Sequence, residues 1–172
     1  MVLVLMCGLS FTGKSTVAGA LASDLPAHLT SLDCINEERG LDGGQGIPVE
    51  EWAETNRLAH ERVRLLLERG DDVVVDDTGS PRFIRDQWRS TAAAAGASFA
   101  LVWVRIDTTL QRERVRANRS GPSRSDVTDD VLDEQAATFE PPVDEDAIVV
   151  DGRDADPAHH AMLLRTIEAM DE

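Results

Sequence analysis

The sequence predicts an α/β fold: a doubly wound five-stranded parallel sheet with helices on both faces, and a helical lid. Short apolar runs alternate along the chain with segments whose apolar residues recur at helical spacing, as in a β-α-β protein. The runs at 2–6 and 73–75 are apolar at every position, which is typical of strands that helices cover on both sides. A glycine-containing loop joins the first of these runs to a helical segment that carries Val17, Leu21 and Leu25.

The elements follow one another in a regular order. We predict strands over 1–7, 28–33, 72–76, 98–106 and 147–150. We predict helices over 14–24, 48–69, 81–95, 108–119, 126–138 and 156–170. No repeat or linker divides the series, so residues 1–172 are expected to form one domain. Within it, the acceptor region is placed near 34–62 and the lid near 112–126.

Composition and charge narrow the functional classes. With 172 residues and 42% hydrophobic residues, the chain can bury a core and a ligand crevice. Its formal net charge of −15 disfavours a nucleic-acid partner and favours a small neutral or cationic substrate. The apolar N-terminal run lacks a basic flank, so we expect a strand there and not a signal peptide. Cys7 and Cys34 have no metal-binding spacing and are expected to be buried thiols of a cytoplasmic protein.

The loop after the first strand has the spacing of a phosphate-binding motif. Residues 8–15 match G-x-x-x-x-G-K-S. The glycines let backbone N–H groups converge on phosphate oxygens, and the next helix adds the positive end of its dipole. Lys14 would contact the β- and γ-phosphates, and the Ser15 hydroxyl would bind Mg²⁺. The predicted nucleotide-binding residues here are Gly8, Leu9, Ser10, Phe11, Thr12, Gly13, Lys14, Ser15 and Thr16.

Lys14 is the only lysine among the 17 basic residues of the chain, and all the others are arginines. A compact ammonium can contact two phosphates inside a backbone cradle, where a planar guanidinium is too wide. The composition therefore indicates that the chemistry at this position requires lysine.

Three classes of nucleotide-binding protein use such a loop. Residues 76–79, Asp-Asp-Thr-Gly, match the D-x-x-G motif of GTP-dependent switches. The N-K-x-D motif with which such switches recognise guanine is absent, because the sequence contains no second lysine. A motor ATPase usually has an apolar strand ending in Asp-Glu, whereas the run at 73–75 is followed by two aspartates. A small-molecule kinase is the third class and fits best.

A kinase needs a base for the acceptor hydroxyl, arginines for the transferred phosphoryl group, and a closing lid. Asp33 ends the predicted second strand, where the sheet edge would face the γ-phosphate, although a cap of a helix or turn is the alternative. Whether Asp33 or Asp77 is the base stays open. Six arginines cluster between 105 and 124, with a solvated charged face as the alternative reading. They are Arg105, Arg112, Arg114, Arg116, Arg119 and Arg124.

Four segments in this order resemble one known family. They are the phosphate-binding loop, the run 73–78 with Arg82 and Arg85 after it, the arginine-rich stretch 112–119, and the stretch from Ser125-Asp126 through Gln135 to Phe139-Glu140-Pro141-Pro142. Residues 1–152 thereby resemble the P-loop kinases described as AAA-type zeta-toxin-like or polynucleotide-kinase-like. This family includes small antibiotic and metabolite phosphotransferases. The resemblance implies a P-loop NTPase fold of the nucleoside-kinase type.

The resemblance also implies cofactors and roles. ATP would be the donor, with Mg²⁺ held mainly through Ser15 and with Asp76 as a second predicted ligand. Asp33 would be the acceptor base, Arg116 or Arg119 would stabilise the transferring phosphoryl group, and Arg153 would lie near the adenine. The predicted catalytic residues are Lys14, Asp33, Arg116 and Arg119.

The acceptor side carries one departure from the family. The family commonly has arginine three residues after the base, where this chain has Asn36, and the nearest arginine is Arg39. With the net charge, this favours a small hydroxylated acceptor over a polynucleotide or tRNA end, and a GTPase-like switch is the alternative from another class. No membrane partner is expected, and the oligomeric state is not predicted. The predicted substrate-binding residues are Asp33, Asn36, Arg39, Asp77 and Thr78.

Overall fold

The computed structural model describes residues 1–41, 46–121, 126–153 and 157–170. Within these ranges there are five strands: β1 (Val2–Cys7), β2 (His28–Ser31), β3 (Val73–Asp76), β4 (Ser98–Arg105) and β5 (Ile148–Asp151). The same ranges contain seven helices: α1 (Lys14–Asp24), α2 (Leu32–Glu38), α3 (Val49–Glu68), α4 (Arg82–Ala95), α5 (Thr108–Ser120), α6 (Asp129–Thr138) and α7 (Pro157–Glu168). Parts of the predicted acceptor region (42–45) and lid (122–125, with Arg124 and Ser125) lie outside the described residues.

The strands form one parallel sheet in the order β2-β3-β1-β4-β5, with β1 at its centre. Leu3 is in register with Val73 on one side and with Phe99 on the other. The prediction of a doubly wound five-stranded parallel sheet is confirmed. Because all strands run the same way, their carboxyl ends meet at one edge, which is where such sheets bind ligands. At that edge Ser31 lies in register with Asp76.

Alternate side chains of β1 pack on opposite faces of the sheet. Leu3 and Leu5 belong to a buried cluster with residues of α3 and α4. Val4 and Met6 belong to a second cluster with residues of α1 and α7. The strand is therefore covered on both sides, as its fully apolar sequence predicts. Truncating one of these leucines to alanine would cost about 2–5 kcal/mol of stability.

The second strand is shorter than predicted, because α2 begins directly after it. Ser31 caps this helix, and its hydroxyl oxygen accepts a hydrogen bond from the Cys34 amide at 3.4 Å. The prediction that the strand continues to residue 33 is wrong, and Asp33 instead occupies the first turn of α2. Cys7 is buried as expected, but Cys34 is exposed, because its position on this short helix faces solvent.

A small third cluster lies beside the phosphate-binding loop. It joins Phe11 of the loop, Val115 of α5, and Val127 and Leu132 before and within α6. The loop is thereby packed against α5, most of which falls within the predicted lid, and against α6, which follows it.

Candidate active site

The loop from Gly8 to Gly13 has a backbone that requires glycine at both ends. Gly8 has φ 143° and Gly13 has φ 101°, values that other residues rarely adopt. A Cβ at Gly8 would also lie 2.2 Å from the carbonyl oxygen of Val104. Phe11 has φ 63°, and a positive φ at a non-glycine residue is a strain found mostly where function demands it.

Side chains of α5 hold the carbonyl groups of this loop. Gln111 Nε2 donates to the Ser10 carbonyl at 2.7 Å. Arg114 Nη1 donates to the carbonyls of Phe11 at 3.2 Å and Thr12 at 2.9 Å. Since the C=O and N–H of a trans peptide point in opposite directions, the next amides in the chain, those of Phe11, Thr12 and Gly13, point away from α5. The Thr12 amide donates to the Leu9 carbonyl at 3.4 Å. Successive amides of this kind form an anion-binding concavity.

Lys14 folds back across the loop that precedes it. Its Nζ donates to the carbonyl oxygen of Leu9 at 3.2 Å. The Thr12 hydroxyl donates to the same oxygen at 2.9 Å, which fixes the width of the loop. The ammonium is therefore held at the mouth of the loop, where a bound phosphate would replace the Leu9 carbonyl as its partner.

A cavity of about 270 Å³ opens beside Lys14 at the carboxyl edge of the sheet. It brings together predicted residues from three places in the chain: Lys14 and Ser15 after β1, Asp33 in α2, and Asp76 at the end of β3 with Asp77 and Thr78 directly after it. Its full lining consists of Ser10, Lys14, Ser15, Leu32, Asp33, Trp52, Asn56, Asp76, Asp77, Thr78, Ser80, Ile84, Val127, Val131 and Gln135. The predicted Thr16 is exposed on α1 and is not part of this lining.

Asp77 is the most constrained carboxylate of the cavity. Trp88 Nε1 donates to its Oδ2 at 3.4 Å, and the Thr78 hydroxyl donates to its Oδ1 at 3.2 Å. Burial raises the pKa of Asp77 above its usual range, and these hydrogen bonds offset part of that rise. The Trp88 ring in turn stacks on His60, with ring centroids 3.7 Å apart. The Asp77 carboxylate is therefore held in place by its hydrogen bonds, whereas Asp33 is exposed.

Two predicted substrate-binding residues lie outside the cavity lining. Asn36 is buried, and its Oδ1 accepts a hydrogen bond from the Thr55 hydroxyl at 2.5 Å. Arg39 donates to the Thr55 hydroxyl at 2.6 Å and pairs with the Glu51 carboxylate. Both side chains hold α2 against α3, which leaves them no role in the cavity as it stands.

The arginines predicted on the lid differ in their surroundings. Arg119 is held by Asp126 and Asp129, each at 3.0 Å, and it also donates to the Val127 carbonyl. Arg116 is exposed on the same helix and interacts electrostatically with Asp129. Neither arginine lines the described cavity, and both are exposed.

Arg153 lies at a second, open depression on the far side of the loop. It pairs with Asp107, and the lining also includes Leu110, Glu113 and Arg114. Arg114 Nη2 donates to the Gly152 carbonyl at 2.6 Å, so this arginine joins the phosphate-binding loop to the loop after β5. The sequence presents Arg114 only as one member of an arginine cluster, because its contacts depend on how α5 is oriented.

The sequence did not indicate Asn56 as a cavity residue. Asn56 and Trp52 are one turn apart on α3, and both line the cavity. Gln135 and Val131 form the corresponding pair on α6. Gln135 belongs to the stretch that resembles the kinase family, which was its only signal in the sequence.

A buried ion pair supports the loop that follows β3. Arg85 and Glu145 are 1% and 3% exposed, and two hydrogen bonds of 3.0 and 2.5 Å join them. Arg85 also donates to the Gly79 carbonyl at 2.6 Å. The hydrogen bonds that Arg85 and Arg89 donate to the Glu145 carboxylate lower the pKa of Glu145 to about 2. Arg85, which the sequence showed as part of a motif, is thus a supporting residue that positions Asp77 and Thr78 through their loop.

The oxygen atoms near Lys14 suit a divalent cation bound together with phosphates. Ser15 and Asp76 both line the cavity, and both offer the oxygen ligands that Mg²⁺ prefers. The described ranges contain no group of three or more His, Cys, Asp or Glu side chains that could hold a metal ion alone. Mg²⁺ therefore fits this donor set if phosphate oxygens and water complete the coordination.

None of the described helices is long and apolar enough to cross a membrane.

Three features define a P-loop nucleotide-binding domain: the sheet order, the glycine-bounded loop between the central strand and α1, and the G-x-x-x-x-G-K-S spacing of that loop. The AAA_33 family, described as an AAA domain, matches residues 3–142. The chain belongs to this family. No curated protein matches the chain in sequence.

Solved structures share the fold over nearly the whole chain. Kti12 from Chaetomium thermophilum, in complex with ADP-AlF3, has a TM-score of 0.78 at 19% identity and covers 99% of both chains. The APS kinase CysC from Mycobacterium tuberculosis, in complex with AMPPNP and APS, has a TM-score of 0.71 at 21% identity, with 96% of each chain covered. A gluconokinase from Sinorhizobium meliloti 1021 has a TM-score of 0.69 at 23% identity, covering 96% of this chain and 89% of that chain. The protein thus has the fold of P-loop kinases.

Proposed function

We propose that the protein is an ATP-dependent kinase that transfers the γ-phosphoryl group to a hydroxyl of a small molecule. The observation that carries this proposal is a single cavity that contains Lys14 and Ser15 of the phosphate-binding loop together with Asp33 and Asp77. A nucleotide switch needs only the loop, whereas a transferase also needs a carboxylate next to the γ-phosphate and room for an acceptor.

The donor would be held by the loop and by Lys14. The amides that point away from α5 would receive the phosphate oxygens, and Lys14 would exchange the Leu9 carbonyl for them. Ser15 and Asp76 would hold Mg²⁺, which when bound offsets negative charge on the β- and γ-phosphates. The depression beside Arg114 and Arg153 would receive the base of the nucleotide.

Asp33 is our assignment for the base, with Asp77 as a positioning residue. Asp33 is exposed at the cavity, so its carboxylate is accessible to an acceptor hydroxyl. Both oxygens of Asp77 already accept hydrogen bonds from Trp88 and Thr78. Asp33 would accept the hydroxyl proton while the hydroxyl oxygen attacks the γ-phosphorus and ADP leaves. Arg116 would offset charge on the transferring group.

Two comparisons support transfer to a small molecule. The structures named as a gluconokinase and as an APS kinase share this fold over nearly the full chain. The net charge of −15 opposes the alternative, a polynucleotide or tRNA-end kinase. We place the enzyme in the cytoplasm, where ATP is available and the exposed Cys34 thiol would stay reduced.

The proposal is tested by a screen of hydroxylated metabolites and antibiotics for an ATP-dependent gain in mass of one phosphoryl group. We expect at least one acceptor to gain the group with ATP and Mg²⁺. A nucleotide that is hydrolysed without transfer to any acceptor, together with tighter binding of GTP than of ATP, would favour the GTPase-like switch instead.

The role of Asp33 is tested by Asp33→Asn, with Glu37→Gln as the matched control. Glu37 is an exposed acid on the same helix that does not line the cavity. We expect Asp33→Asn to lower kcat by about 10²–10⁴-fold and to leave the Kd of ATP unchanged. Unchanged transfer in Asp33→Asn would remove Asp33 from the role of base and leave Asp77 as the candidate.

A further inference from the structure

We propose that the acceptor carries no negative charge and is rich in hydrogen-bond donors, a polyol or amino-polyol that Asn56 and Gln135 recognise. This inference rests on the proposed function and names its substrate class. We call the part of the cavity lined by Asp33, Trp52, Asn56, Val131 and Gln135 the acceptor half. Two observations support the inference: polar atoms of this half lack hydrogen-bond partners among the described residues, and the described lining carries negative charge.

Asn56 presents an amide oxygen that the protein does not satisfy. Its Nδ2 donates to the Trp52 carbonyl at 2.9 Å, which fixes the orientation of the amide. Oδ1 is buried and has no hydrogen-bond partner within the described part of the chain. Since a buried acceptor without a partner is costly, such an atom in a cavity wall indicates a ligand donor that completes it.

Gln135 repeats this arrangement from another helix. Its Oε1 is also buried without a hydrogen-bond partner among the described residues, and its side chain lines the same cavity. Asn56 lies on α3 and Gln135 on α6, so two unrelated elements present unsatisfied acceptor atoms to one space. Each amide is accompanied one turn earlier by an apolar side chain, Trp52 and Val131 respectively.

The charge of the cavity lining also favours an acceptor without negative charge. Lys14 is the only cationic side chain of the described lining, and the phosphates of the nucleotide would occupy it. The lining also contains the carboxylates of Asp33, Asp76 and Asp77. A sugar acid or a nucleotide acceptor would meet carboxylates and amide oxygens, and the described lining offers no cationic side chain besides Lys14 to balance its charge. An ammonium group, by contrast, would be attracted both to Asp33 and to the face of Trp52.

Arg39, the arginine predicted to bind the substrate, makes its contacts with α3 and not with the cavity. Arg39 donates to the Glu51 carbonyl at 2.7 Å in addition to its bonds with the Glu51 carboxylate and the Thr55 hydroxyl. Releasing it would break all three contacts, including the Arg39–Glu51 ion pair. The acceptor half therefore recognises donors, which hydroxyl and amino groups supply.

The test compares acceptors of similar size that differ in charge. The probes are 2-deoxystreptamine (cationic), myo-inositol (neutral) and gluconate (anionic), followed by a library of hydroxylated compounds grouped by charge at pH 7. Binding is measured with a non-hydrolysable ATP analogue present, and phosphoryl transfer is measured with ATP. We expect cationic or neutral acceptors to have kcat/KM values at least about tenfold above those of anionic acceptors.

The two amides are tested by near-isosteric replacements. We expect Asn56→Leu and Gln135→Met to raise the KM of the acceptor about tenfold or more, with the Kd of ATP unchanged and thermal stability unchanged or raised. Gln135→Glu should favour cationic over neutral acceptors by about tenfold relative to the parent protein. Gln87→Glu, which adds the same charge at an exposed position of α4, is the control and should leave that ratio unchanged.

The outcomes separate this inference from the proposed function. Preferred transfer to anionic acceptors overturns the inference and leaves the kinase proposal in place. Binding of polyols or amino-polyols without transfer supports the inference and overturns the kinase proposal. Binding of no acceptor class, or an acceptor KM that neither amide affects, overturns the inference.

Discussion

The Trp88 indole nitrogen donates a hydrogen bond to Asp77 Oδ2 at 3.4 Å, from a ring that is fully buried and stacked on His60. A residue of the hydrophobic core thereby sets the electrostatic state of a carboxylate in the cavity. Burial raises the pKa of Asp77 and the indole opposes that rise, so the ionised form is favoured by a side chain that does not line the cavity.

Replacing Trp88 with phenylalanine should change the pH dependence of transfer. Without the indole donor the pKa of Asp77 rises further, and the ionised form appears only at higher pH. If transfer requires the ionised form of the positioning residue Asp77 as well as the base Asp33, the acidic limb of the kcat/KM profile moves to higher pH in Trp88→Phe. It should not move in the control Trp103→Phe on β4. Profiles with coincident acidic limbs would show that Asp77 is not the group whose ionisation limits transfer.

Removing the buried partner of Arg85 should destabilise the fold in a pH-dependent way. The pKa of Glu145 is lowered to about 2, so the stability it contributes is present above its unfolded pKa, near 4.3, and is lost as the pH falls toward 2. We expect Glu145→Gln to lower the free energy of unfolding by about 3–5 kcal/mol at pH 7, because it leaves Arg85 buried without a counter-charge. Denaturant unfolding at pH 7 and pH 3 measures this, and an equal loss at both pH values would contradict it.

A side chain at Gly152 should displace the phosphate-binding loop. A Cβ there would lie 2.0 Å from the Thr12 carbonyl oxygen. We expect Gly152→Ala to weaken ATP binding at least about tenfold, because the loop must shift to relieve the clash. Gly19→Ala is the control: no atom lies within 4 Å of a Cβ at Gly19, and the helix should gain about 0.5–1 kcal/mol. Calorimetric titration of ATP into both variants distinguishes a local clash from a general loss of fold.

The two candidate lid arginines should differ in their kinetic effect. Arg119 is engaged by Asp126 and Asp129, whereas Arg116 is exposed. We expect Arg116→Ala to lower kcat by about 10²–10³-fold, as for the loss of one donor to a developing negative charge. Arg119→Ala should cost little stability, because its ion pairs are solvent-screened, and should change kcat little. A larger fall in kcat for Arg119→Ala would mean that its ion pairs open when the nucleotide binds.

Replacing the single lysine by arginine tests the geometry of the loop. We expect Lys14→Arg to lower kcat/KM for ATP by at least about 10²-fold, because the wider guanidinium cannot fit between the loop and the phosphates. Arg69→Lys, a swap in the reverse direction at an exposed ion pair, should have no effect on activity. Retained transfer in Lys14→Arg would show that only the charge at this position matters.

The parts of the site that the sequence predicts are those whose position the local backbone decides. Gly8, Gly13, Lys14 and Ser15 belong to one contiguous turn, and Asp76 ends a strand whose direction is fixed by the sheet. Their meeting at one edge follows from parallel pairing alone.

The remaining positions depend on how helices are rotated about their axes, which composition and spacing do not reveal. Asn36 was expected at the acceptor, but the early start of α2 turns it toward Thr55. Asn56 and Gln135 line the cavity because α3 and α6 present those particular faces to it. For the same reason the sequence could not separate Arg114, which holds the loop, from Arg116, which is exposed.

The four hydrogen bonds from Gln111 and Arg114 have a mechanical consequence. They attach the first half of α5 to the carbonyls of Ser10, Phe11, Thr12 and Gly152. A nucleotide that draws the phosphate-binding loop inward would draw this half of the helix with it. The arginines further along α5 could therefore close over the nucleotide only by a bend of the helix beyond Arg114. The first half of α5 would stay attached to the phosphate-binding loop during such a motion.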